Sequence, residues 1–188
     1  MQCKAGQTGP MPTYVAFLRA INLGPTRKFP KAGIVAATEA AGFGDVETYI
    51  NSGNVRLSSS KRSHARVATA LEEAYAERAG FEVPTIVFPA AELAEVAATA
   101  RELTSPDLAR HYIYLLREEP SAARAADLES RTRADGSVVV RGRAVHLLLG
   151  AGYEAGTVDP WGVEKVLGVV ATNRNFNVVT TVADRWCT

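Results

Sequence analysis

The chain has 188 residues, of which 47% are hydrophobic and 22% charged, and its 21 Lys plus Arg nearly balance its 20 Asp plus Glu. This composition is typical of a globular protein with its own hydrophobic core, and it excludes a disordered or collagen-like chain. The formal net charge of +1 gives no bulk field that would attract nucleic acid or an acidic membrane, although a local basic patch remains compatible with it.

The first half of the chain predicts alternating strands and helices. The segment TYVAFLR has the β-branched and aromatic content of a strand, and helical spacing of apolar residues follows it in three places. Gly42 and Gly80 stand where the first two helices should end. In chain order we predict a strand, a helix, two strands, a helix, a strand and a helix at Thr13–Arg19, Lys31–Ala41, Val46–Ile50, Val55–Ser58, Arg62–Ala79, Pro84–Phe88 and Ala90–Leu103.

The second half predicts the same order of elements. Asp159-Pro160 is a typical helix start, with a capping residue followed by proline at the first helical position. The last segment has helical spacing but is rich in β-branched residues. The predicted elements are His111–Arg117, Ser121–Ser130, Ser137–Val140, Ala144–Leu149, a helix from Asp159 to Gly168, a strand at Val169–Thr172 and a helix at Asn175–Trp186.

Each half therefore has the order βαββαβα, which is that of the ferredoxin-like, split βαβ arrangement with a mainly antiparallel sheet. Tyr14, Leu18 and Arg19 of the first strand also align with Tyr112, Leu116 and Arg117. We predict an α+β fold of two tandem βαββαβα units, residues 13–103 and 111–188, after an N-terminal arm of residues 1–12. Whether the two sheets face each other or merge is left open by the element order.

The sequence favours a cytoplasmic location. Cys3 and Cys187 lie at opposite ends without the spacing of a metal or redox motif, so two incidental thiols in a reducing compartment are the natural interpretation. The apolar runs, such as Ala144–Leu149, are too short to cross a bilayer, and residues 1–10 lack the apolar core of a signal peptide. We expect no membrane association.

The sequence contains no common catalytic or cofactor motif. It has no phosphate-binding loop, dinucleotide fingerprint, zinc-protease helix or nucleophile elbow. Its three histidines, His64, His111 and His146, fall on different elements without ligand spacing, so ordinary surface or strand histidines are expected. We therefore predict no cofactor and no metal, and leave open whether the protein is an enzyme.

Three polar clusters stand out as candidate sites. The first follows the first strand and contains Arg19, Asn22 and Lys28, and such a strand-to-helix loop can present N–H groups to an anion. The second, Asn51, Ser52, Gly53 and Asn54, is the turn between two strands. Ordinary turn formation also explains the residue types of both clusters, and it is the favoured interpretation of each, more strongly so for the second.

The third cluster contains Arg174 and Asn175 at the predicted start of the last helix. An Asn there can cap the helix, but a guanidinium at a helix start opposes the helix dipole. Arg174 is therefore expected to meet another partner, such as a buried carboxylate or a bound anion.

Several of these segments resemble a bacterial family known as domain of unknown function 1697. FLRAINLG at Phe17–Gly24, with Lys28, is similar to the family's LLRGINVGG, and ETYINSGNV at Glu47–Val55 to its TYIQSGNV. ATNRNFNVVT at Ala171–Thr180 is similar to its ATTRNWNTVT ending, and EKVLG at Glu164–Gly168 to the segment before it. The resemblance runs from about Met11 to Trp186 and implies a two-part α+β fold of bacterial cytosolic origin, with no established activity.

The chain departs from the family's pattern at a few positions. The Ala20 side chain stands where the family has a glycine, which argues against a close backbone approach there. Phe176 replaces a tryptophan and so lacks an indole N–H. The remaining replacements are Asn51 for glutamine, Asn173 for threonine and Val178 for threonine.

Three functional hypotheses follow. In the first, Arg19, Asn22, Asn54, Arg174 and Asn175 converge in a cleft between the halves and bind a small anionic or nucleotide-like ligand. In the second, the clusters are purely structural, and in the third the protein is an enzyme of unrecognised type. The binding hypothesis is the preferred one.

A nucleic-acid partner is not expected. The arginines are spread from Arg19 to Arg185, and the strand tyrosines do not form the signature of an RNA-recognition sheet. The sequence contains no feature that bears on the oligomeric state.

Overall fold

The computed structural model describes residues 11–22, 24, 27–50, 53–131, 133–153, 159 and 161–187. Their first unit consists of β1 (Thr13–Leu18), α1 (Lys31–Ala40), β2 (Gly44–Tyr49), β3 (Asn54–Ser58), α2 (His64–Ala79), β4 (Thr85–Pro89) and α3 (Ala90–Leu103). The second consists of β5 (Arg110–Leu116), α4 (Ala122–Ser130), β6 (Gly136–Arg141), β7 (Ala144–Leu149), α5 (Val163–Leu167), β8 (Ala171–Asn175) and α6 (Phe176–Trp186).

The two units have the same sheet topology. Each sheet has four strands, ordered β2-β3-β1-β4 in the first unit and β6-β7-β5-β8 in the second. All the pairings between these strands are antiparallel. The predicted α+β fold with two similar halves is therefore confirmed.

The central strand β1 is buried on both faces of its sheet. Side chains alternate along a strand, so one face carries Tyr14, Ala16 and Leu18, which pack with α1 and α2. The other face carries Val15 and Phe17, which pack with α3. This double burial explains why β1 is an almost continuous apolar run rather than an alternating one.

Helices α3 and α6 form a layer between the two sheets. Their apolar residues, among them Leu93 and Val182, belong to one core that also contains Phe17 of the first sheet and Ile113 and Leu115 of the second. Helices α4 and α5 cover the far face of the second sheet. The sheets thus do not merge, because the third helix of each unit lies between them.

Several element boundaries follow the capping residues. The Ser63 side chain caps α2 by accepting from the Arg66 N–H, and Gly80 ends that helix with φ +76°. The predicted helix from Asp159 is much shorter in the structure and begins at Val163, whose N–H is accepted by the Asp159 carboxylate at 2.9 Å. Pro160 lies outside the described residues.

The last strand lies further along the chain than the predicted Val169–Thr172, and this changes the element to which one candidate residue belongs. β8 extends to Asn175, so Arg174 lies in this strand, directly before the N-cap residue of α6. Asn175 caps α6 as expected, because its Oδ1 accepts from the Val178 N–H at 2.9 Å. β8 reaches Asn175 because its antiparallel pairing with β5 continues up to the pair Tyr112 and Asn175.

A short segment connects the two units. Residues 104–109 connect α3 to β5, where the sequence predicted the boundary between units. Residues 1–10 of the predicted arm, with Cys3, lie outside the described residues, whereas Cys187 is a free, partly buried thiol. Within the described part of the chain no helix is long and apolar enough to cross a membrane.

Candidate functional site

The three polar clusters meet where the end of β1, the turn between β2 and β3, and strand β8 come together. Arg174 on β8 donates from Nε to Asn54 Oδ1 at 2.7 Å and from Nη2 to the Leu18 carbonyl at 3.0 Å. Nη2 also lies 3.5 Å from the Gly53 carbonyl. One side chain of the second unit therefore contacts both predicted segments of the first.

Neutral oxygens hold the Arg174 guanidinium in this position. Thr172 Oγ1 and the Asn173 carbonyl accept from Nη1 at 3.0 and 2.7 Å, in addition to the acceptors in the first unit. The guanidinium carbon lies 5.6 Å from the centre of the Phe17 ring. Burial lowers the pKa of Arg174 to about 10, which leaves the group charged at neutral pH.

Arg19 also connects the two units, through a different partner. Its Nη1 and Nη2 donate to the two carboxylate oxygens of Glu164 in α5, at 2.5 and 2.7 Å. Glu164 in turn accepts from the Ala171 N–H at the start of β8, at 2.7 Å. The Arg19 side chain is thus directed to a carboxylate of the second unit.

A cavity of about 340 Å³ lies beside these contacts. Its walls come from the β1–α1 loop, the first turn of α1 and the end of β2 with the following turn. The described residues that line it are Asn22, Phe29, Pro30, Lys31, Ile34, Thr48, Ile50, Gly53 and Asn54. All of them belong to the first unit, whereas the sequence had suggested a cleft between the halves. Arg174 of the second unit does not line the cavity, but it donates a hydrogen bond to Asn54, which does.

The polar groups of this cavity are held in place by the backbone. Asn22 Oδ1 accepts from the Phe29 N–H at 3.1 Å, which fixes the loop before α1. Asn54 is fully buried, and its Nδ2 donates to the Tyr49 carbonyl at 3.0 Å while its Oδ1 accepts from Arg174. Thr48 Oγ1 is buried and has no hydrogen-bond partner among the described residues.

The first turn of α1 makes the cavity electropositive. Pro30 is the N-cap residue and provides no side-chain cap, and this turn contains no acidic residue. The first N–H groups of a helix lack intrahelical acceptors and carry the positive end of the helix dipole. Lys31, at the first helical position, lines the cavity and adds a full charge.

Left-handed backbone conformations are concentrated around the cavity. Ala20, Asn22 and Ile50 have φ of +56°, +57° and +49°, a region that non-glycine residues rarely adopt. Gly53 has φ +72°, and a Cβ there would lie 2.7 Å from the Leu18 Cβ. Gly53 therefore packs against the end of β1 so closely that only glycine fits at this position.

The structure brings together some of the predicted residues and separates others. Asn22 and Asn54 line the cavity, and Arg174 donates to Asn54. Arg19 is not among the lining residues and pairs with Glu164 of the second unit. Lys28 is exposed on the loop before α1 and is not among the lining residues. Asn175 caps α6 and lines a different depression. Asn51 and Ser52 lie outside the described residues.

A buried pair of histidines in the second unit was not predicted from the sequence. His111 on β5 and His146 on β7 lie on the same face of the second sheet, with His111 Nε2 3.1 Å from His146 Nδ1. Burial lowers the pKa of both imidazoles to about 4, and the neighbouring charge of Arg141 contributes for His146. Antiparallel pairing of the two predicted strands was the available signal, because it places alternate residues on one face.

The structure shows no metal centre in the described part of the chain. No group of three or more His, Cys, Asp or Glu side chains there could hold a metal ion. Both histidines of the pair direct one nitrogen to the other, and the remaining nitrogens, His111 Nδ1 and His146 Nε2, are buried without partners among the described residues.

Comparisons with known proteins agree with this fold. Residues 11–146 match the model of a family described as "Protein of unknown function (DUF1697)". No curated protein shows significant sequence similarity. Among solved structures, the conserved bacterial protein SP0830 from Streptococcus pneumoniae is similar with a TM-score of 0.71 at 20% identity, over 93% of this chain and 98% of that one. At this identity the likeness shows the fold alone.

Proposed function

We propose that this chain, which belongs to the family of proteins of unknown function DUF1697, is a module that binds a small anionic or nucleotide-like ligand. The proposed site is the cavity between the β1–α1 loop and the β2–β3 turn. The observation that carries the proposal is the position of the first turn of α1, with Pro30 and Lys31 in the wall of a cavity that Asn22, Thr48 and Asn54 also line.

The electrostatics of the cavity favour an anion. The uncapped first turn of α1 offers backbone N–H groups, Lys31 offers an ammonium, and an Asn amide offers both donors and acceptors. Neither Asp nor Glu is among the described lining residues. A phosphate or carboxylate group in the cavity would therefore meet donors and positive charge without a repelling carboxylate nearby.

The shape and chemistry of the cavity favour binding over catalysis. Its volume of about 340 Å³ lies at the lower end of the range for small-molecule sites. Lys31 is the single titratable residue among the described residues that line it. General acid–base catalysis uses His, Asp, Glu, Cys or Tyr more often than a solvent-exposed lysine, so the proposal includes no chemical step.

Arg174 would act as a positioning residue in this module. It does not line the cavity, but it donates to Asn54 Oδ1 and thereby orients the amide that does. The left-handed residues Ala20, Asn22 and Ile50 support a binding site here. Strained backbone persists only where the surrounding structure holds it, and such positions cluster at functional sites.

A charge reversal at Lys31 tests the proposal. Inorganic phosphate should raise the melting temperature of the protein and shift the amide resonances of Lys31 and Ala32 in the ¹H–¹⁵N spectrum. Lys31→Glu should abolish both effects, because it places a carboxylate in the cavity wall. The variant should fold well, since an acidic residue in the first turn of a helix interacts favourably with the dipole.

Arg66→Glu is the matched control. Arg66 occupies the first turn of α2, away from the cavity, and a Glu there would complete a capping box with Ser63. This variant should keep the response to phosphate. If phosphate leaves the spectrum of the unmodified protein unchanged, or if both variants respond alike, the binding proposal is wrong. A purely structural role of the clusters, which the contacts of Arg19 and Arg174 already provide, would then remain.

A further inference from the structure

We infer that Ile50 is a specificity residue of the proposed site and that the ligand is an anion attached to an apolar or aromatic group, such as a phosphate monoester of an aromatic alcohol. The inference rests on the proposed function and goes beyond it by naming the ligand class. Its basis is the combination of conformation, exposure and position at Ile50.

Ile50 is an unusual residue for its backbone conformation. It directly follows β2 at the start of the turn and has φ +49°. A β-branched side chain in the left-handed region is a genuine outlier, because its Cβ substituents crowd the following carbonyl. Gly or Asn would adopt the same conformation with less strain. The turn alone therefore gives no reason for isoleucine.

The Ile50 side chain is also exposed, so the core gives no reason for it either. It is 48% exposed, one of three large hydrophobic residues with high exposure in the described part of the chain. Folding thus gains little from burying it, while the left-handed backbone costs stability. A side chain that is both strained and exposed is best explained by a contact made outside the folded chain.

The position of Ile50 shows where that contact would be. It lines the cavity together with Phe29 and Ile34, so the cavity has an apolar side as well as the polar groups around Lys31. Phe29 is fixed by an edge contact with Tyr75, with ring centres 5.5 Å apart. An anion held at α1 would therefore carry its substituent past Phe29 and Ile34, and the Ile50 side chain would cover it.

Two phosphates distinguish this inference from the proposed function. Inorganic phosphate tests the anion site alone, and phenyl phosphate tests the anion site together with the apolar side. Covering the exposed part of an isoleucine corresponds to roughly five- to tenfold in affinity. We expect the unmodified protein to bind phenyl phosphate at least fivefold more tightly than inorganic phosphate, measured by titration of the ¹H–¹⁵N spectrum.

Ile50→Gly and Ile50→Asn should reduce this affinity ratio to about one. Both replacements suit the left-handed conformation, so they should fold and should raise the melting temperature by about 3 °C. Val170→Ala is the control. Val170 is another exposed hydrophobic residue, 40% exposed and located before β8, outside the cavity. It should leave the ratio unchanged.

The possible results separate the two proposals. If inorganic phosphate and phenyl phosphate bind the unmodified protein equally well, the ligand class is wrong while the anion site stands. If both Ile50 variants still bind phenyl phosphate at least fivefold more tightly than inorganic phosphate, Ile50 does not determine specificity. Failure of inorganic phosphate to bind overturns the proposed function, and the inference with it.

Discussion

Ala20 has a backbone conformation that suits glycine better than alanine. It directly follows Arg19 with φ +56°, in the left-handed region where a Cβ atom is crowded by the backbone. The resemblance of FLRAINLG to the family's LLRGINVGG implies a glycine at this position, and the left-handed conformation supplies a physical reason for it. The consequence of alanine at this position is therefore backbone strain.

Ala20→Gly should therefore stabilise the protein by about 1 kcal/mol, since glycine adopts the left-handed region without strain. Urea unfolding at neutral pH measures the change. The matched control is Ala36→Gly on the exposed side of α1, which should destabilise by about 1 kcal/mol because glycine is a poor helix former. Loss of stability in both variants would contradict the argument from strain.

At the scale of the element, strands β5 and β7 carry a titratable pair inside the protein. His111 is stacked on Phe176 with ring centres 5.5 Å apart, and His146 is fully buried. Protonation of either imidazole would place an uncompensated charge between the second sheet and the α3–α6 layer. Protonation of both would also bring two cations within 3.1 Å of each other.

The stability of the second sheet should therefore depend on pH. Burial lowers the pKa of both histidines to about 4 in the folded protein, whereas the pKa of an unfolded imidazole is about 6.5. The unfolded state thus binds more protons in this range. The contribution of the neutral histidines to the free energy of unfolding is complete above about pH 6.5 and is lost as the pH falls towards 4. Between pH 7.5 and 5 the free energy of unfolding should fall by on the order of 2 kcal/mol per histidine.

Urea unfolding at pH 7.5 and pH 5 measures this dependence. The double variant His111→Phe with His146→Leu should lose most of it, because neither replacement can be protonated. His64→Gln, which keeps the buried pair, should retain most of the dependence. An unfolding free energy that falls equally in the double variant would show that other groups are responsible.

At the scale of the whole molecule, two equivalent ion pairs connect the two units. Arg19 follows β1 and pairs with Glu164 in α5, and Arg117 follows β5 and pairs with Glu72 in α2. Each glutamate also accepts an N–H at the start of the next strand of its own unit, Ala171 for Glu164 and Thr85 for Glu72. The contacts between the units are therefore reciprocal, which agrees with their identical element order.

A double-mutant cycle on Arg19 and Glu164 should give a coupling energy of about 0.5–1 kcal/mol, since both side chains are partly exposed and screened by solvent. Glu164→Ala should cost more than Arg19→Ala, because it also leaves the Ala171 N–H without its acceptor. The Arg101–Asp184 pair, which is more exposed, serves as the control and should show a smaller coupling energy. Equal costs for the two single variants would contradict the dual role of Glu164.

Much of the architecture was predictable from local patterns. Helix ends at Gly42 and Gly80, the apolar run of β1 and the repeated element order all depend on neighbouring residues. The candidate site was predictable only in part. The sequence singled out Asn22 and Asn54, which line one cavity, and Arg174, which donates to Asn54. It also included Lys28 and Asn175, which are not among the lining residues. It placed Arg174 at the start of the last helix and did not predict a strand there, because pairing of β8 with β5 is a long-range contact.

The sequence by itself determined the two α+β units, because hydrophobic periodicity and turn residues act over a few positions and are readable in order along the chain. It also determined the near-zero net charge, so that any positive site has to be local. Only the tertiary structure decided that Arg174 is held by neutral oxygens, that His111 meets His146 and that the cavity lies in the first unit. These outcomes depend on which side chains meet across sheets and helices, and packing of distant segments is not encoded in local spacing.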